Sequence, residues 1–181
     1  TAVTVSDADS ANMASASVQI TANYQNGQDV LSYTQVGSIV GTWNSGTGTM
    51  GLSGSDTVAN YQLALRAVKY ANSSDNPSTL TRTVTFKVND GTVDSNTQTR
   101  NVSVATLNDA PVLAAIEGAA LAYTENAAAT AITTAITVSD ADSANMASGS
   151  VQITANYQNG QDVLSYPQVG SIVGTWNSGS G

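Results

Sequence analysis

"ASVQITANYQNGQDVLSYTQV", residues Ala16–Val36, decides what kind of fold this chain adopts. Its first nine letters put Ala16, Val18, Ile20, Ala22 and Tyr24 on one face, with polar or small residues between them. That two-residue period belongs to a half-buried strand. Asn26-Gly27 follows, the strongest short hairpin signal because both residues tolerate positive φ, and "VLSYTQV" then returns. A hairpin is therefore expected here. Working outward, "SIVGTW" and "TMGLSG" flank the turn cluster "NSGTG", so a second hairpin is predicted. "TLTRTVTFKV" (Thr79–Val88) alternates again, with Arg82 on its apolar face near one end. "TQTRNVSVATL" adds a last strand, while "ALAYTEN" and "TAITTAITVSD" (Thr130–Asp140) read as opening strands of a following unit.

One segment breaks the pattern. "SDTVANYQLALRAVKY" begins with an N-cap candidate at Ser55 or Asp56 and spaces Val58, Tyr61, Leu65 and Val68 at helical intervals. The spacing predicts a helix over 57–66 and a strand over 67–70. Many short strands with frequent turns and one short helix define an all-β fold, a Greek-key β-sandwich.

The decisive stretch occurs twice. At an offset of 133 residues Thr4–Gly48 matches Thr137–Gly181, and only Ala16/Gly149, Thr34/Pro167 and Thr47/Ser180 differ. Solenoid repeats of about 20–50 residues cannot fold singly, whereas this period suits whole domains in tandem. Pro111 in "LNDAPVL" lacks an N–H and interrupts any ladder, which marks the joint. Residues 1–107 then form one unit lacking its first strands, and residues 108–181 form the first half of the next. The abrupt start inside a strand-like pattern suggests a window in a longer molecule. Pro167 in place of Thr34 puts that position on an edge or outside the ladder.

Charge narrows the partners. Eleven Asp and two Glu oppose three Arg and two Lys, for a net charge of −8. Nucleic acid and anionic membrane surfaces both require positive charge and are disfavoured. No stretch of about 18 apolar residues is present to span a bilayer. The chain has no Cys and no His. A disulfide framework and a thiolate metal site are excluded, and a nucleophilic Ser or Thr has no imidazole base. The reading is of a protein that is not an enzyme. Stiffness must come from packing and bound ions.

The repeated stretch also carries "VSDADS", with Asp7 and Asp9 in one copy and Asp140 and Asp142 in the other. If the strand ends at Ser139, Asp140 and Asp142 lie in a loop at one pole and point the same way. No Lys or Arg lies within ten residues of either pair, so a divalent cation is the natural relief for two like charges. Asn108 and Asp109 of the linker enter near the same pole. Oxygen donors without nitrogen or sulfur favour Ca²⁺. "VNDGTVD" (Val88–Asp94) precedes the last strand and is expected at the far, linker-facing pole of the first unit, which makes Asp90 a ligand from the preceding domain. Asp94 is the weaker member of that loop.

A "NDAP" linker, an early "TEN", the "DAD" element, a late "VNDG" and the run "LSGSDTVANYQLALRAVKYANSSDNPSTLTRTVTFKVNDG" occur here together. In these the chain resembles the cadherin-like repeats of giant bacterial surface adhesins, including biofilm-associated ones with RTX-type ends. The resemblance covers essentially the whole period. It implies an Ig/cadherin-like sandwich, an extracellular location on the bacterial cell surface, and calcium stiffening each joint of a rod used in cell adhesion. It also implies that Glu125 serves the distal joint of its own unit, and that Asp7 and Asp9 serve a joint before Thr1. "TEN" stands where cadherins have Pro-Glu-Asn, and the linker carries fewer acids, so one ion per joint is expected.

The partners so implied are neighbouring repeats of the same chain or identical chains. Two other functions fit the same residues. Trp43 and Trp176, beside Gly and Asn, are placed to stack on a surface glycan, which would make the unit a carbohydrate- or ligand-binding module. Open-edged half-units could instead exchange strands between copies, as in a self-assembling extracellular filament.

Overall fold

A computed structural model describes residues 2–181. The chain divides into two compact units, Thr1–Asp109 and Ala110–Gly181. The first unit is built around β1 (Asn12–Ala22), whose inward residues Met13, Ala16, Val18 and Ile20 are all buried. The step of three from Met13 to Ala16 breaks strict alternation, and the β1–β4 register shifts between Met13 and Ser15. That shift places the extra residue on β4, where Gly54 takes a φ of +124.

β1 is central because both its edges are taken. It pairs antiparallel with β4 (Thr49–Thr57) on one side and β6 (Arg82–Asn89) on the other. β3 (Val40–Asn44) and β7 (Gln98–Val102) close a five-stranded antiparallel sheet in the order β3-β4-β1-β6-β7. The hairpin expected around "NSGTG" forms between β3 and β4, with Asn44 Oδ1 accepting the Gly46 amide at 2.9 Å.

The hairpin expected at Asn26-Gly27 does not form. β2 (Asp29–Tyr33) pairs instead with β5 (Val68–Asn72) in a separate two-stranded sheet. Asn23 and Gly27 do adopt positive φ, but the Asp29 amide bonds Gln25 O at 2.9 Å and the Asp29 carboxylate takes the Gln25 amide at 2.8 Å. This turn swings the chain off a strand whose neighbours are already occupied. Thr34 lies just past β2, outside the ladder, as the Pro167 exchange implied.

The helix, α1, spans Val58–Ala67. Its N-cap is Thr57, whose hydroxyl accepts the Asn60 amide at 3.2 Å, not Ser55 or Asp56. Asp56 nonetheless locks the entry, since it accepts from the Ser38 amide at 2.9 Å, the Thr57 amide at 2.8 Å and Asn60 Nδ2 at 2.7 Å. Those bonds, that from Ser38 foremost, hold its pKa down at about 2. Tyr61, Ala64 and Leu65 on the inner face of α1 share one core with Leu31, Ile39, Met50, Leu52, Val84 and Val88. Gly54 has φ +124, and a Cβ there would stand 2.8 Å from Ser38 O, so only glycine fits the approach of β4 to that loop.

The second unit holds one ladder, between β8 (Val112–Ala114) and β9 (Thr137–Ser139). The strand expected in "ALAYTEN" is absent: the segment is coil apart from the turn around Glu125, whose Ala127 amide bonds Thr124 O at 3.1 Å. Residues 149–181 keep the turns of their twin in the first unit. Tyr157 meets Trp176 edge-on at 6.0 Å as Tyr24 meets Trp43 at 6.3 Å, and Ile153 N bonds Gly181 O at 2.8 Å as Ile20 N bonds Gly48 O at 2.9 Å. The twin residues differ in burial. Val18 and Ile39 are 0% exposed, while Val151 and Ile172 are 72% and 64% exposed. Identical sequence gives the same local bends, but strand and core require the partner elements β4 to β7.

Candidate functional site

The end of the first unit where β1 begins gathers three carboxylates from two loops. Asp7 Oδ1 accepts the Asp9 amide at 3.1 Å and the Ser10 amide at 2.8 Å, an Asx turn that starts β1. The Ser10 amide, then that of Asp9, lowers the Asp7 pKa. The Asp9 pKa is raised, first by its hydrogen bond with Asp7, then by the charges of Asp7 and Asp90. Asp90 stands in the turn after β6, where its Oδ1 takes the Thr92 and Val93 amides at 2.7 and 2.8 Å. Those bonds, Val93 first, lower its pKa, against the charge of Asp7.

Asp90 therefore lies at the opposite end from the one expected. β6 runs antiparallel to β1 and pairs Asn89 with Ser15, which brings the following turn beside the Asp7 loop. β7 then returns to put Val102 opposite Arg82, at the other end of β6, and the linker follows from there. Asp94 has its own cation: Lys87 Nζ at 2.6 Å and Asn89 Nδ2 at 2.8 Å bind its two oxygens.

Asn108 and Asp109 end the first unit, both exposed, with Asn108 Nδ2 donating to Asp109 O at 2.6 Å. In the second unit Asp140 repeats the Asp7 turn, accepting the Asp142 amide at 3.0 Å and the Ser143 amide at 2.7 Å, and those bonds lower its pKa. Asp142 Oδ1 accepts the Ser143 hydroxyl at 3.2 Å. Glu125 lies exposed in its turn. Among the described residues no three acidic side chains stand close enough to hold one ion unaided.

Two polar arrangements escaped the sequence reading. Arg82 and Asp29 form an ion pair at 3.1 Å with both side chains fully buried. Asp29 also accepts Tyr70 Oη at 2.5 Å and Asn72 Nδ2 at 2.6 Å, and Arg82 Nη1 donates to the carbonyls of Ser78 and Leu80. Burial pushes the Asp29 carboxyl up, but the bonds from Tyr70, Gln25, Asn72 and Arg82 outweigh it and leave its pKa lowered. Arg82 on an apolar face was the available signal; its partner lies 53 residues away and could not be named. In the second unit Glu117 accepts the Thr133 hydroxyl at 2.6 Å and the Thr134 amide at 2.9 Å, which together hold its pKa down at about 2.

Trp43 is half-buried, edge-on to Tyr24 and against the core. No helix among the described residues is long and apolar enough to cross a membrane. Comparison with protein-family models, curated proteins and solved structures finds no match to this chain.

Proposed function

We propose that the chain is part of a structural spacer in an extracellular bacterial adhesin or fibre, made of cadherin-like Greek-key sandwiches in tandem and stiffened by calcium at the joints. The observation that carries this reading is the near-identical recurrence, at 133 residues, of a segment that opens with paired aspartates. Whole domains repeated so faithfully supply length and uniform mechanics. Supporting it, Asp7, Asp9 and Asp90 stand at one end of the first unit, where the hydrogen bond with Asp7, and after it the charges of Asp7 and Asp90, raise the Asp9 pKa. Three carboxylates fall short of the six to eight oxygens Ca²⁺ takes. Linker oxygens of the Asn108-Asp109 type, brought by an adjoining unit, would make up ligands, and Asp140 and Asp142 offer the same turn in the second unit. Calcium there would supply charge neutralisation and a cross-link between loops.

The test is calorimetric melting with and without calcium. Extracellular calcium modules bind at roughly 10⁻⁴–10⁻³ M, so about 10 mM ion should stabilise the folded state by about 1.4–2.7 kcal/mol. Asp140→Ala should abolish the gain at one joint, and magnesium should not replace calcium. Superimposable curves with and without the ion would remove calcium from the proposal.

A further inference from the structure

We propose that Asn26, in the turn before β2, is a site of spontaneous covalent modification, its side-chain amide passing through a cyclic imide to aspartate and isoaspartate. Two atoms must meet for that reaction: the backbone nitrogen of the next residue and Cγ of the asparagine. Asn26 is exposed, and among the described residues its Nδ2 has no hydrogen-bond partner, while Oδ1 accepts only Tyr24 Oη at 3.4 Å. Gly27 follows it. Among the described residues the Gly27 amide donates no hydrogen bond, its φ is +85, and nothing would stand within 4 Å of a Cβ there. The attacking nitrogen is therefore neither tied up nor screened, and glycine is the residue freest to rotate it into reach.

Comparable turns are guarded. Gly91 also follows an acid, but its amide donates to Asn89 Oδ1 at 2.7 Å, and Asp90 Oδ1 is held by the Thr92 and Val93 amides. After Asn72, the Ser73 amide donates to Gln28 O at 3.1 Å; after Asn126, the Ala127 amide donates to Thr124 O at 3.1 Å. Asn44 spends its side-chain oxygen on the Gly46 amide and is followed by Ser45, whose Cβ screens the nitrogen. Asn159-Gly160 repeats the open arrangement, with φ +83 at Gly160 and nothing within 4 Å of its Cβ position.

The chemistry needs only water. Solvent base removes the Gly27 amide proton and the nitrogen attacks Asn26 Cγ. The N–Cγ bond forms, the Cγ–Nδ2 bond breaks, and Nδ2 leaves as ammonia with a proton returned by the solvent. One water then opens the imide. Opening at the side-chain carbonyl restores the normal backbone with aspartate at position 26; opening at the main-chain carbonyl leaves isoaspartate, whose backbone runs through the former side chain. Either product carries a negative charge where a neutral amide stood, and nothing is oxidised or reduced. The position matters because this turn seats the buried acid. The Gln28 and Asp29 amides share Gln25 O at 3.1 and 2.9 Å, and Asp29 Oδ2 accepts both the Gln25 amide at 2.8 Å and Arg82 Nε at 3.1 Å. Isoaspartate adds a backbone methylene between Gln25 and Asp29, so the turn loses its hold on the oxygen that faces Arg82. Ageing at one exposed asparagine thus reaches a pair in the core.

The test is incubation of the full chain in mildly alkaline buffer, sampled by peptide mapping with mass spectrometry and by an isoaspartate-specific methyl-transfer assay. Asn26 should convert faster than Asn44, Asn72 or Asn126 by on the order of tenfold, and faster still as pH rises. A second arm uses Asn159→Gln, so that Asn26 is the open site left. Its aged isoaspartate form, separated by ion exchange, should unfold at a lower urea midpoint than the fresh chain. Asn26→Asp, with the charge but no added methylene, should shift the midpoint less. Asn26→Gln in the same background, whose longer side chain closes a ring far more slowly, should keep its midpoint on ageing. Conversion of Asn26 no faster than that of Asn44 or Asn72 would overturn the inference, and an isoaspartate form as stable as the fresh chain would overturn its link to Asp29.

Discussion

Neutralising the buried acid should be the most damaging single-atom change in the first unit. Asp29→Asn keeps size and shape but removes the negative charge opposite the fully buried Arg82 guanidinium and turns one of two oxygens, each accepting two donors, into a donor. One of the guanidinium nitrogens, Nη2, already has no hydrogen-bond partner among the described residues. Breaking a buried pair in this way costs about 3–5 kcal/mol, against a total of about 5–15 kcal/mol for a domain. Arg82→Leu should cost less, because Asp29 retains Tyr70, Asn72 and the Gln25 amide. The double variant should cost less than the sum, with a coupling of about 1–3 kcal/mol. Urea unfolding of the full chain, followed by circular dichroism, reads all three. With a slope of about 2 kcal/mol per molar urea, Asp29→Asn should lower the midpoint by about 1.5–2.5 M. A shift below about 0.5 kcal/mol would refute the view that this pair locks β2 to β6.

The remaining predictions concern loops and caps. Asp56 has its pKa depressed to about 2, so the stability it lends is complete above its unfolded value near 3.8 and drains as pH falls to about 2; Asp56→Asn should flatten that part of the acid melting profile. Asp9 has its pKa raised, so its ionised form opposes folding at neutral pH. Asp9→Asn should therefore raise the melting temperature in chelator and remove any gain from calcium; a lower melting temperature in chelator would contradict the repulsion. Gly54→Ala should destabilise by about 1–3 kcal/mol, because the residue must hold φ +124 against Ser38 O, and an unchanged urea midpoint would count against that approach.

Alternation in β1 was legible because Val18 and Ile20 face a core that any strand of this pattern must find. The step of three from Met13 to Ala16 was not, and nor was the extra residue that β4 carries opposite it, since both depend on how the two strands sit together. Asn26-Gly27 announced a turn correctly and a hairpin wrongly: the dipeptide sets local φ, while the choice of partner strand was settled by competition for the edges of β1. β7 carries no apolar period, its residues being exposed save a half-buried Val102, so the strand read over 97–107 is only Gln98–Val102 in the structure. For the acids, composition and spacing marked Asp7, Asp9 and Asp90. Which end Asp90 occupies follows from strand direction in the sheet, a property of topology and not of the residues around it.

The order in which the elements of the first unit follow one another along the chain has a consequence for synthesis. Whenever a ribosome has made residues 4–48 but not the fifty-odd residues, 49–102, that cover them, Val18 and Ile39, buried in the finished unit, face water. At about 5–20 residues per second that interval lasts about 3–10 seconds. During that interval Val18, Ile20 and Ile39 form an apolar surface on the nascent chain that the finished unit hides in its core.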